Sequence, residues 1–434
     1  MQDTSRLSNL SSRGTFLRGS SLGLGNIALG SLLARDGFAR GATDSINRGA
    51  RPDLPHHPPR IKRVIFLCMA GGPSHLETFD EKPELARLDG QPMPESYTAG
   101  QPIAQLQGKE LKCQGPLTKF GRYGQSGQTI SDFLPYHQKM ADDLCVIRSM
   151  VTEQINHDPA HTFMNTGTAI SGRPSMGSWV TYGLGSENQN LPSFVVVYDP
   201  KGGPFSGPAN WSSGYLPAAY QGTVFRAKGD PILDLSPPEE FVTREQQRAR
   251  LDHLAWLNQK HADERPGESE LAARIASYEL AYRMQGCAPE AVDISQESAA
   301  TRKLYGLDAP ETAGFGKQCL LARRLVERGV RFVQLYSGAL LQQNVDTWDA
   351  HSNLIENHTM HAREVDGPIA GLITDLKQRG LLDDTLVMWH SEFGRMPISQ
   401  RGLGRDHNPG AMTSFFAGAG IEGGQSIGAT DDFG

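Results

Sequence analysis

The segment RVIFLCM, Arg63–Met69, is the first strongly apolar segment after the proline-rich stretch of the sequence. Its apolar residues form a continuous run, which is typical of a strand covered on both faces in a parallel sheet. Four later segments share this character: DLCVIRSM (143–150), SFVVVY (193–198), RFVQLYS (331–337) and TLVMWH (385–390). Helical patterns separate them, for example at 313–328 and 365–376, where Pro368 is expected in the first turn and Asp366 near the cap. The alternation predicts an α/β fold, a doubly wound and mostly parallel sheet with helices on both faces.

Length and composition limit the class of protein. The chain has 434 residues, which is enough for a large core, and a net charge of -6. This modest charge does not indicate a nucleic acid or an anionic membrane as a partner. The five cysteines are widely spaced without a C-x-x-C pair, which argues against a zinc ribbon or a disulfide scaffold.

The N-terminal part differs from the rest. Residues 1–45 contain Arg13 and Arg18 before a glycine-rich, mildly apolar stretch, which predicts an export signal of the twin-arginine type, although Gly14 interrupts the arginine pair. A disordered tail is the alternative. The stretch is too short and glycine-rich for a transmembrane helix. A working signal places the protein in the periplasm or outside the cell, and a non-functional one leaves it in the cytoplasm.

The remaining chain is divided by composition. Residues 46–61 form a linker rich in proline and histidine. Residues 62–434 are expected to form one α/β domain, with a charged, helix-favouring insertion at about 237–310. The chain ends at IEGGQSIGATDDFG, with no helical pattern in this segment.

Imidazole and carboxylate groups follow four of the predicted strands. They lie in the segments AGGPSHLETFD (70–80), NHDPAHTFMNTG (156–167), VDTWDAHSN (345–353) and SEFGRMPISQRGLGRDHNPG (391–410). Ligands of such sheets bind beyond the carboxyl ends of the strands, so we expect these groups to meet. Mixed His and carboxylate sets suit zinc, manganese or iron better than calcium. A single Asp–His pair is more often a hydrogen-bonding pair of a loop, so the prediction depends on joint placement; Arg395 and Arg405 are predicted to hold an anion.

Longer motifs carry a resemblance to known proteins. The segment DGPIAGLITDLKQRGLLDDTLVMWHSEFG (366–394) resembles the helix, turn and strand of sulfatases and other members of the alkaline phosphatase superfamily. The motifs GGPSHLETFD, SGRPSMGSWVTYGLG, LPSFVVVYDPKGGP, WDAHSN, EFGRMP and GRDHNP resemble a bacterial exported family within it, the domain of unknown function 1501. The likeness runs from about Lys62 to the end of the chain and implies an alkaline-phosphatase-like fold. Proteins of the resembled family continue with a further helical segment, so the resemblance also implies a truncation at the C-terminus.

The resemblance also implies a site for two metal ions. Its metal ligands are Asp349 and His351 after the fourth strand, His407 before Asn-Pro, and Glu392 in place of an Asp. Phe393 replaces the histidine expected beside Glu392. His75 or Asp80 is expected to substitute for an Asp missing after the first strand. Thr162 is the candidate nucleophile, with Asn156 and His157 nearby, and the predicted catalytic set is Thr162, His157 and Arg395.

The implied function is hydrolysis of a phosphate or sulfate ester. The expected cofactor is a divalent metal (zinc, manganese or calcium), and the expected partner is an anionic ester, for example a sulfated or phosphorylated glycan. One alternative is a catalytically degenerate metal-binding envelope protein that recognises a polysaccharide or a protein partner, and another is a structural protein without a metal. The loop at 199–223 either shapes a substrate pocket with Lys201, Trp211 and Tyr215 or packs as an Ω-loop.

Overall fold

An eight-stranded sheet forms the centre of the molecule, and its strands lie in the order Gln425–Ile427 (β14), Cys145–Met150 (β4), Met412–Gly418 (β13), Thr385–His390 (β10), Arg63–Met69 (β1), Phe332–Ser337 (β7), Phe194–Val197 (β5) and Thr223–Phe225 (β6). The computed structural model describes residues 59–100, 106, 110–233, 235, 242–265, 268–340 and 345–434. β13 is antiparallel to both of its neighbours, and the other seven strands run in one direction. All five predicted strands belong to this sheet, so the doubly wound, mostly parallel α/β fold is confirmed.

The strands and helices have the following bounds. The strands of the large sheet are β1 Arg63–Met69, β4 Cys145–Met150, β5 Phe194–Val197, β6 Thr223–Phe225, β7 Phe332–Ser337, β10 Thr385–His390, β13 Met412–Gly418 and β14 Gln425–Ile427. Three small hairpins pair β2 Phe120–Tyr123 with β3 Gln128–Ser131, β8 Ala339–Leu340 with β9 Val345–Asp346, and β11 Gly394–Ser399 with β12 Arg405–Asn408. The α-helices are α1 Pro83–Arg87, α2 Glu95–Thr98, α3 Pro135–Lys139, α4 His157–Thr166, α5 Met176–Leu184, α6 Arg244–Asp263, α7 Ser269–Val292, α8 Ala299–Leu304, α9 Pro310–Glu327 and α10 Leu354–Gln378.

The two faces of β1 explain its continuous apolar sequence. Ile65, Leu67 and Met69 belong to a core cluster with residues of α9 and α10, on one face of the sheet. Val64, Phe66 and Cys68 alternate with them and pack on the other face, where α5 contributes partly buried apolar residues. Burial on both faces stabilises a strand without polar alternation.

Helix α10 differs from its prediction. It begins at Leu354 and continues through Pro368, so this proline lies inside the helix and not in its first turn. Asp366 caps a different helix: its carboxylate accepts hydrogen bonds from the backbone N–H groups of Tyr136 (2.8 Å) and His137 (2.9 Å) in the first turn of α3. The predicted position of Asp366 near the cap of its own helix was wrong, because a carboxylate can cap a helix that is distant in sequence.

The turn after β1 brings ligand-bearing segments close to the sheet. Gly71 has a φ of +113°, and a Cβ atom there would lie 2.6 Å from the backbone nitrogens of both Trp348 and Asp349. Only glycine fits such an approach without strain. The turn therefore lets the Asp349 segment reach the carboxyl edge of the sheet.

Several predictions fall partly or wholly outside the described residues. The export signal at 1–45 and most of the linker at 46–61 are among them. Helices α6 and α7 lie within the predicted insertion at 237–310, and its status as an insertion stays a prediction. Among the described residues, no helix is both long and apolar enough to cross a membrane.

Candidate metal centre

Four side chains meet at the carboxyl edge of the sheet: His157, Asp349, His351 and His407. One ligand atom from each lies within 4.8 Å of all the others. His157 opens helix α4 after β4, Asp349 and His351 follow the β8–β9 hairpin, and His407 lies on β12. The structure therefore brings together the three residues Asp349, His351 and His407 predicted from different parts of the chain, and adds His157 to them.

The three imidazole rings have the same orientation. The Nδ1 atom of His407 lies 2.7 Å from the carbonyl oxygen of Ile155, and that of His157 lies 2.6 Å from Glu392 Oε1. Nδ1 of His351 faces Oε1 of Gln400. Each of these oxygens accepts a hydrogen bond, so each Nδ1 carries a proton, and the Nε2 atoms point toward Asp349.

The Nε2 atoms and the carboxylate are spaced as ligands of one ion. His351 Nε2 lies 2.9 Å from Asp349 Oδ1, and His407 Nε2 lies 3.3 Å from the same oxygen. His157 Nε2 lies 3.3 Å from Asp349 Oδ2. Two ligand atoms that are each about 2.1 Å from an ion are separated by roughly 3.0 to 3.6 Å at angles of about 90° to 120°. The residues present therefore fit a divalent cation.

The cluster remains accessible from solvent. The side chains of His351 and Asp349 are 20% and 17% exposed, whereas that of His407 is 6% exposed. Three imidazoles and one carboxylate suit zinc, manganese or iron, and an octahedral ion such as manganese would keep two positions open beyond four protein ligands. A small anionic molecule can therefore approach a bound ion.

Glu392 orients His157 and is fully buried. Its Oε1 accepts hydrogen bonds from the Gly71 backbone N–H (2.9 Å) and from His157, and its Oε2 lies 2.5 Å from the Ser391 hydroxyl and 3.2 Å from His161 Nε2. Both oxygens are thus occupied. Glu392, expected as a metal ligand, instead lies behind a ligand, as carboxylates often do in histidine metal sites.

Arg395 supplies the positive charge nearest Asp349. Its Nη2 donates to Asp349 Oδ1 at 2.6 Å and to the carbonyl of Gly71, while Nε donates to Gly72 O at 2.7 Å. Nη1 donates to the carbonyl oxygen of Arg405 at 3.2 Å. The guanidinium is fully buried and its donors are engaged, so it acts here as a counter-ion and not as a group exposed to substrate.

The pKa values follow from these contacts. Burial alone would raise the pKa of Asp349, but the Arg395 guanidinium and the histidine hydrogen bonds outweigh it and hold that pKa far below its usual value. Burial would lower the pKa of His157, but its hydrogen bonds to Asp349 and Glu392 raise it. Burial dominates at His407 and lowers its pKa. Without a metal, the cluster therefore holds an ionised Asp349 against a readily protonated His157.

Two phenylalanine rings enclose the imidazoles. Phe205 stacks on His157 with ring centroids 4.2 Å apart and planes 8° apart. Phe393 lies 4.9 Å from the His157 ring and 4.4 Å from the His407 ring. Phe393 occupies the position where the resemblance expected a histidine, so this side of the cluster is apolar.

Other predicted site residues lie apart from the cluster. His75 Nδ1 faces the backbone N–H of Arg395 at 3.4 Å, and burial lowers the pKa of His75 to about 4. Asp80 pairs with Lys82 at 3.1 Å and accepts a hydrogen bond from the Thr430 hydroxyl at 2.5 Å. Neither residue belongs to the group of ligand atoms found among the described residues.

The predicted nucleophile is also engaged. The Thr162 hydroxyl lies 3.0 Å from the carbonyl oxygen of Asp158 and 3.1 Å from the hydroxyl of Ser206, and its side chain is buried. Arg405 forms a fully buried ion pair with Glu77 at 2.6 Å and does not face an anion site. The Thr162 hydroxyl is therefore already engaged by protein groups, and its role as the nucleophile stays a prediction.

The three predicted pocket residues of the loop between β5 and β6 have different environments. Lys201 forms ion pairs with Asp346 and Glu364, each at 2.9 Å. Trp211 is buried against the sheet, whereas Tyr215 is exposed. Phe205 of this loop contacts the cluster by stacking on His157, and it was not among the residues predicted from the sequence.

Comparisons with known proteins identify a family model that matches the chain and several solved structures that are distantly similar to it. A sulfatase from Pseudoalteromonas sp. has a TM-score of 0.34 and 13% identity, covering 86% of this chain and 66% of that one. The alkaline phosphatase of the Antarctic bacterium TAB5 has a TM-score of 0.31 and 10% identity, covering 85% of this chain and 94% of that one. A phosphonate monoester hydrolase from Silicibacter pomeroyi has a TM-score of 0.30 and 13% identity, covering 69% of this chain and 66% of that one.

These likenesses are too distant to assign a reaction, and no curated protein matches the chain. The family model described as "Protein of unknown function (DUF1501)" matches residues 61–434, which is most of the chain and includes every residue of the metal cluster. This chain therefore belongs to the DUF1501 family.

Proposed function

We propose that this protein is a metal-dependent hydrolase of phosphate or sulfate esters. The observation that supports the proposal is the convergence of three Nε2 atoms on one carboxylate, with ligand separations of 2.9 to 3.3 Å. A divalent cation at this point supplies Lewis-acid polarisation of an ester oxygen and lowers the pKa of a water molecule. Zinc and manganese suit the donor set better than calcium does.

The protein's own residues have distinct tasks in this proposal. Asp349, His351 and His407 hold the cation, and His157 completes the set because Glu392 fixes its ring orientation. Arg395 stabilises the ionised form of Asp349 while the site is empty of metal. Phe205 and Phe393 cover the imidazole faces and reduce the water around them, which strengthens electrostatic interactions within the site.

The test is turnover of 4-nitrophenyl phosphate and 4-nitrophenyl sulfate by protein loaded with zinc, manganese or calcium. We expect metal-dependent turnover of at least one ester, and loss of about 100-fold or more in rate for Asp349→Asn and His407→Ala. Asp132→Asn and His253→Ala are matched controls, because both side chains are exposed and lie outside the cluster. Absence of turnover in every metal-loaded sample would contradict the proposal.

Thr162 gives a second test of the mechanism. If water attacks the ester, Thr162→Val retains activity, and rapid mixing shows no burst equal to the enzyme concentration. A burst that disappears in Thr162→Val would instead assign the nucleophile to Thr162.

One observation favours a different function. Phe393 packs against the rings of both His157 and His407, where the implied two-metal site would need a polar ligand. A protein that binds one metal without turnover, and recognises an envelope polysaccharide or a protein partner, is therefore the second candidate. Tight metal binding with no hydrolysis of either ester would support it.

A further inference from the structure

A row of four aromatic side chains is formed by helix α5 and the loop between β5 and β6. Its members are Tyr215, Trp179, Tyr182 and Tyr220, and we call them the aromatic row. Neighbouring ring centroids are 6.0, 6.1 and 5.2 Å apart, and each pair meets edge to face. Tyr215 and Trp179 are 61% and 44% exposed. This exposure is unusual for large aromatic side chains that already contact one another, because burial normally stabilises them.

A cavity lies at the Tyr220 end of the row. Its volume is about 470 Å³, and it lies between the 186–194 and 218–223 segments and helix α7. The polar groups that line it include the amides of Asn188, Gln189 and Gln221 and the charged side chains of Arg274 and Arg283. The Asn188 amide is engaged within the protein, and Arg283 Nε donates to the carbonyl oxygen of Gln189 at 2.8 Å. The guanidinium groups still carry charge that burial beneath an apolar ligand would penalise.

Positive charge lies at both ends of the row. The Arg173 guanidinium lies over the Tyr215 ring at 5.8 Å, and Arg274 and Arg283 line the cavity, where Glu270 is the acidic residue. The whole chain has a net charge of -6, so this arginine-rich strip is a local exception. An occupant with negative groups at intervals therefore complements the surface.

We propose that the aromatic row and the adjoining cavity bind an anionic oligosaccharide. The apolar faces of sugar rings pack against aromatic side chains, hydroxyl groups hydrogen-bond to amides, and sulfate or carboxylate groups pair with arginine. A lipid chain would offer no partner to the charged Arg274 and Arg283 guanidinium groups that line the cavity. A nucleic acid would need more cationic groups than this strip offers.

The row is connected to the metal centre through one loop. The backbone N–H of Ser175, at the start of α5, donates to the carbonyl oxygen of Ser212 at 2.9 Å, which fixes this loop beside Arg173. The same loop carries Phe205, which stacks on His157. The cavity, however, lies where β5 and β6 begin, whereas the metal cluster lies at the carboxyl edge of the sheet, so the inference goes beyond the proposed hydrolase and does not rest on it.

The experiment measures binding of a sulfated galactan hexasaccharide, its desulfated form and a polygalacturonate hexasaccharide by isothermal titration calorimetry. We expect wild-type protein to bind at least one of the two anionic forms, and Trp179→Ala and Tyr215→Ala each to weaken it about tenfold or more. Binding should persist in Asp349→Asn, so failure of the proposed hydrolase does not affect this result. The sulfated and carboxylated arms identify which anionic group is recognised.

Trp256→Ala is the matched control. This tryptophan is 59% exposed on helix α6 and stacks on His253, away from the row. Equal loss of binding in Trp256→Ala, unchanged binding in both row variants, or no binding of either anionic hexasaccharide by wild-type protein would overturn the inference. A wild-type dimer that becomes a monomer in Trp179→Ala would also overturn it, because a second copy of the chain would then cover the row.

Discussion

The Nε2 atoms of His351 and His407 lie 3.1 Å apart, although the Nδ1 atom of each ring faces an oxygen acceptor. Two neutral imidazoles oriented in this way present lone pairs to each other and to Asp349. A shared cation relieves this opposition for all the ligands at once, whereas a proton on one imidazole can bridge that nitrogen to only one acceptor. The arrangement therefore predicts a metal-binding protein whose metal-free form is destabilised locally.

Purified protein is expected to bind one equivalent of zinc or manganese. At a free metal concentration of 100 times Kd, binding raises the free energy of unfolding by about 2.7 kcal/mol. Metal analysis after dialysis gives the stoichiometry, and urea unfolding with and without a chelator gives the stabilisation. Asp349→Asn should lose both effects, whereas Asp80→Asn should keep the stoichiometry of wild-type protein. Two equivalents that fall to one in Asp80→Asn would show that the first-strand carboxylate is a ligand.

Glu392→Gln is expected to weaken metal binding by about 10- to 100-fold without changing the number of ions bound. The neutral amide preserves the volume but stabilises the Nδ1 proton of His157 less well than a carboxylate does. Competition with a chromophoric chelator measures the affinity. Glu77→Gln, which alters the buried pair with Arg405 instead, serves as the control. Loss of a whole equivalent in Glu392→Gln would make Glu392 a direct ligand.

Arg395→Met is expected to destabilise the metal-free protein by about 3 to 5 kcal/mol, because it leaves the Asp349 carboxylate without its counter-ion. The cost should be smaller in the metal-bound protein, since the cation then neutralises Asp349. Arg405→Met is the matched control: this arginine lies on the same hairpin and pairs with Glu77, so its cost should not depend on metal. Arg395→Lys provides a milder variant if Arg395→Met does not fold. An equal cost with and without metal would contradict the assigned role.

Stability is expected to fall as the pH decreases from about 6.5 to 4. Burial lowers the pKa of both His75 and His390 from 6.5 to about 4, so over this range the unfolded chain binds more protons than the native protein does. Each histidine then contributes a loss of roughly 3 kcal/mol by pH 4. Urea unfolding at several pH values should show this slope. It should become shallower in His390→Gln and stay unchanged in His253→Gln, because His253 is exposed on α6.

The strands were predictable because their environment is uniform. Each strand of the central sheet that is covered on both faces needs apolar residues at successive positions, and β1 shows this in every residue after Arg63. The helices were predictable in type but not in extent. Pro368 indicated a helix start, yet α10 begins at Leu354, because packing of its apolar face stabilises the turns before the proline.

The candidate site was predictable in its ligand types and not in their arrangement. Asp349, His351 and His407 stand just after strands or in a hairpin at the carboxyl edge, so their approach to one another follows from the topology. A carboxylate near such a site can contact the ion directly, or it can contact a histidine that holds the ion. Distances of a few ångströms separate these two arrangements. That is why Glu392 lies behind His157, and why neither Gln400 nor Phe205 could be identified beforehand.

His157 and Glu392 are separated by 235 positions along the chain, and both must be in place before the ring orientation of His157 is set. Contacts between such distant segments form late in folding, because long loops must close first. A cation therefore cannot nucleate this protein as zinc does in small finger domains. Binding of the cation requires the complete tertiary structure. Metal uptake during refolding should therefore lag behind collapse, and its amplitude should measure the fraction of molecules that have reached the native state.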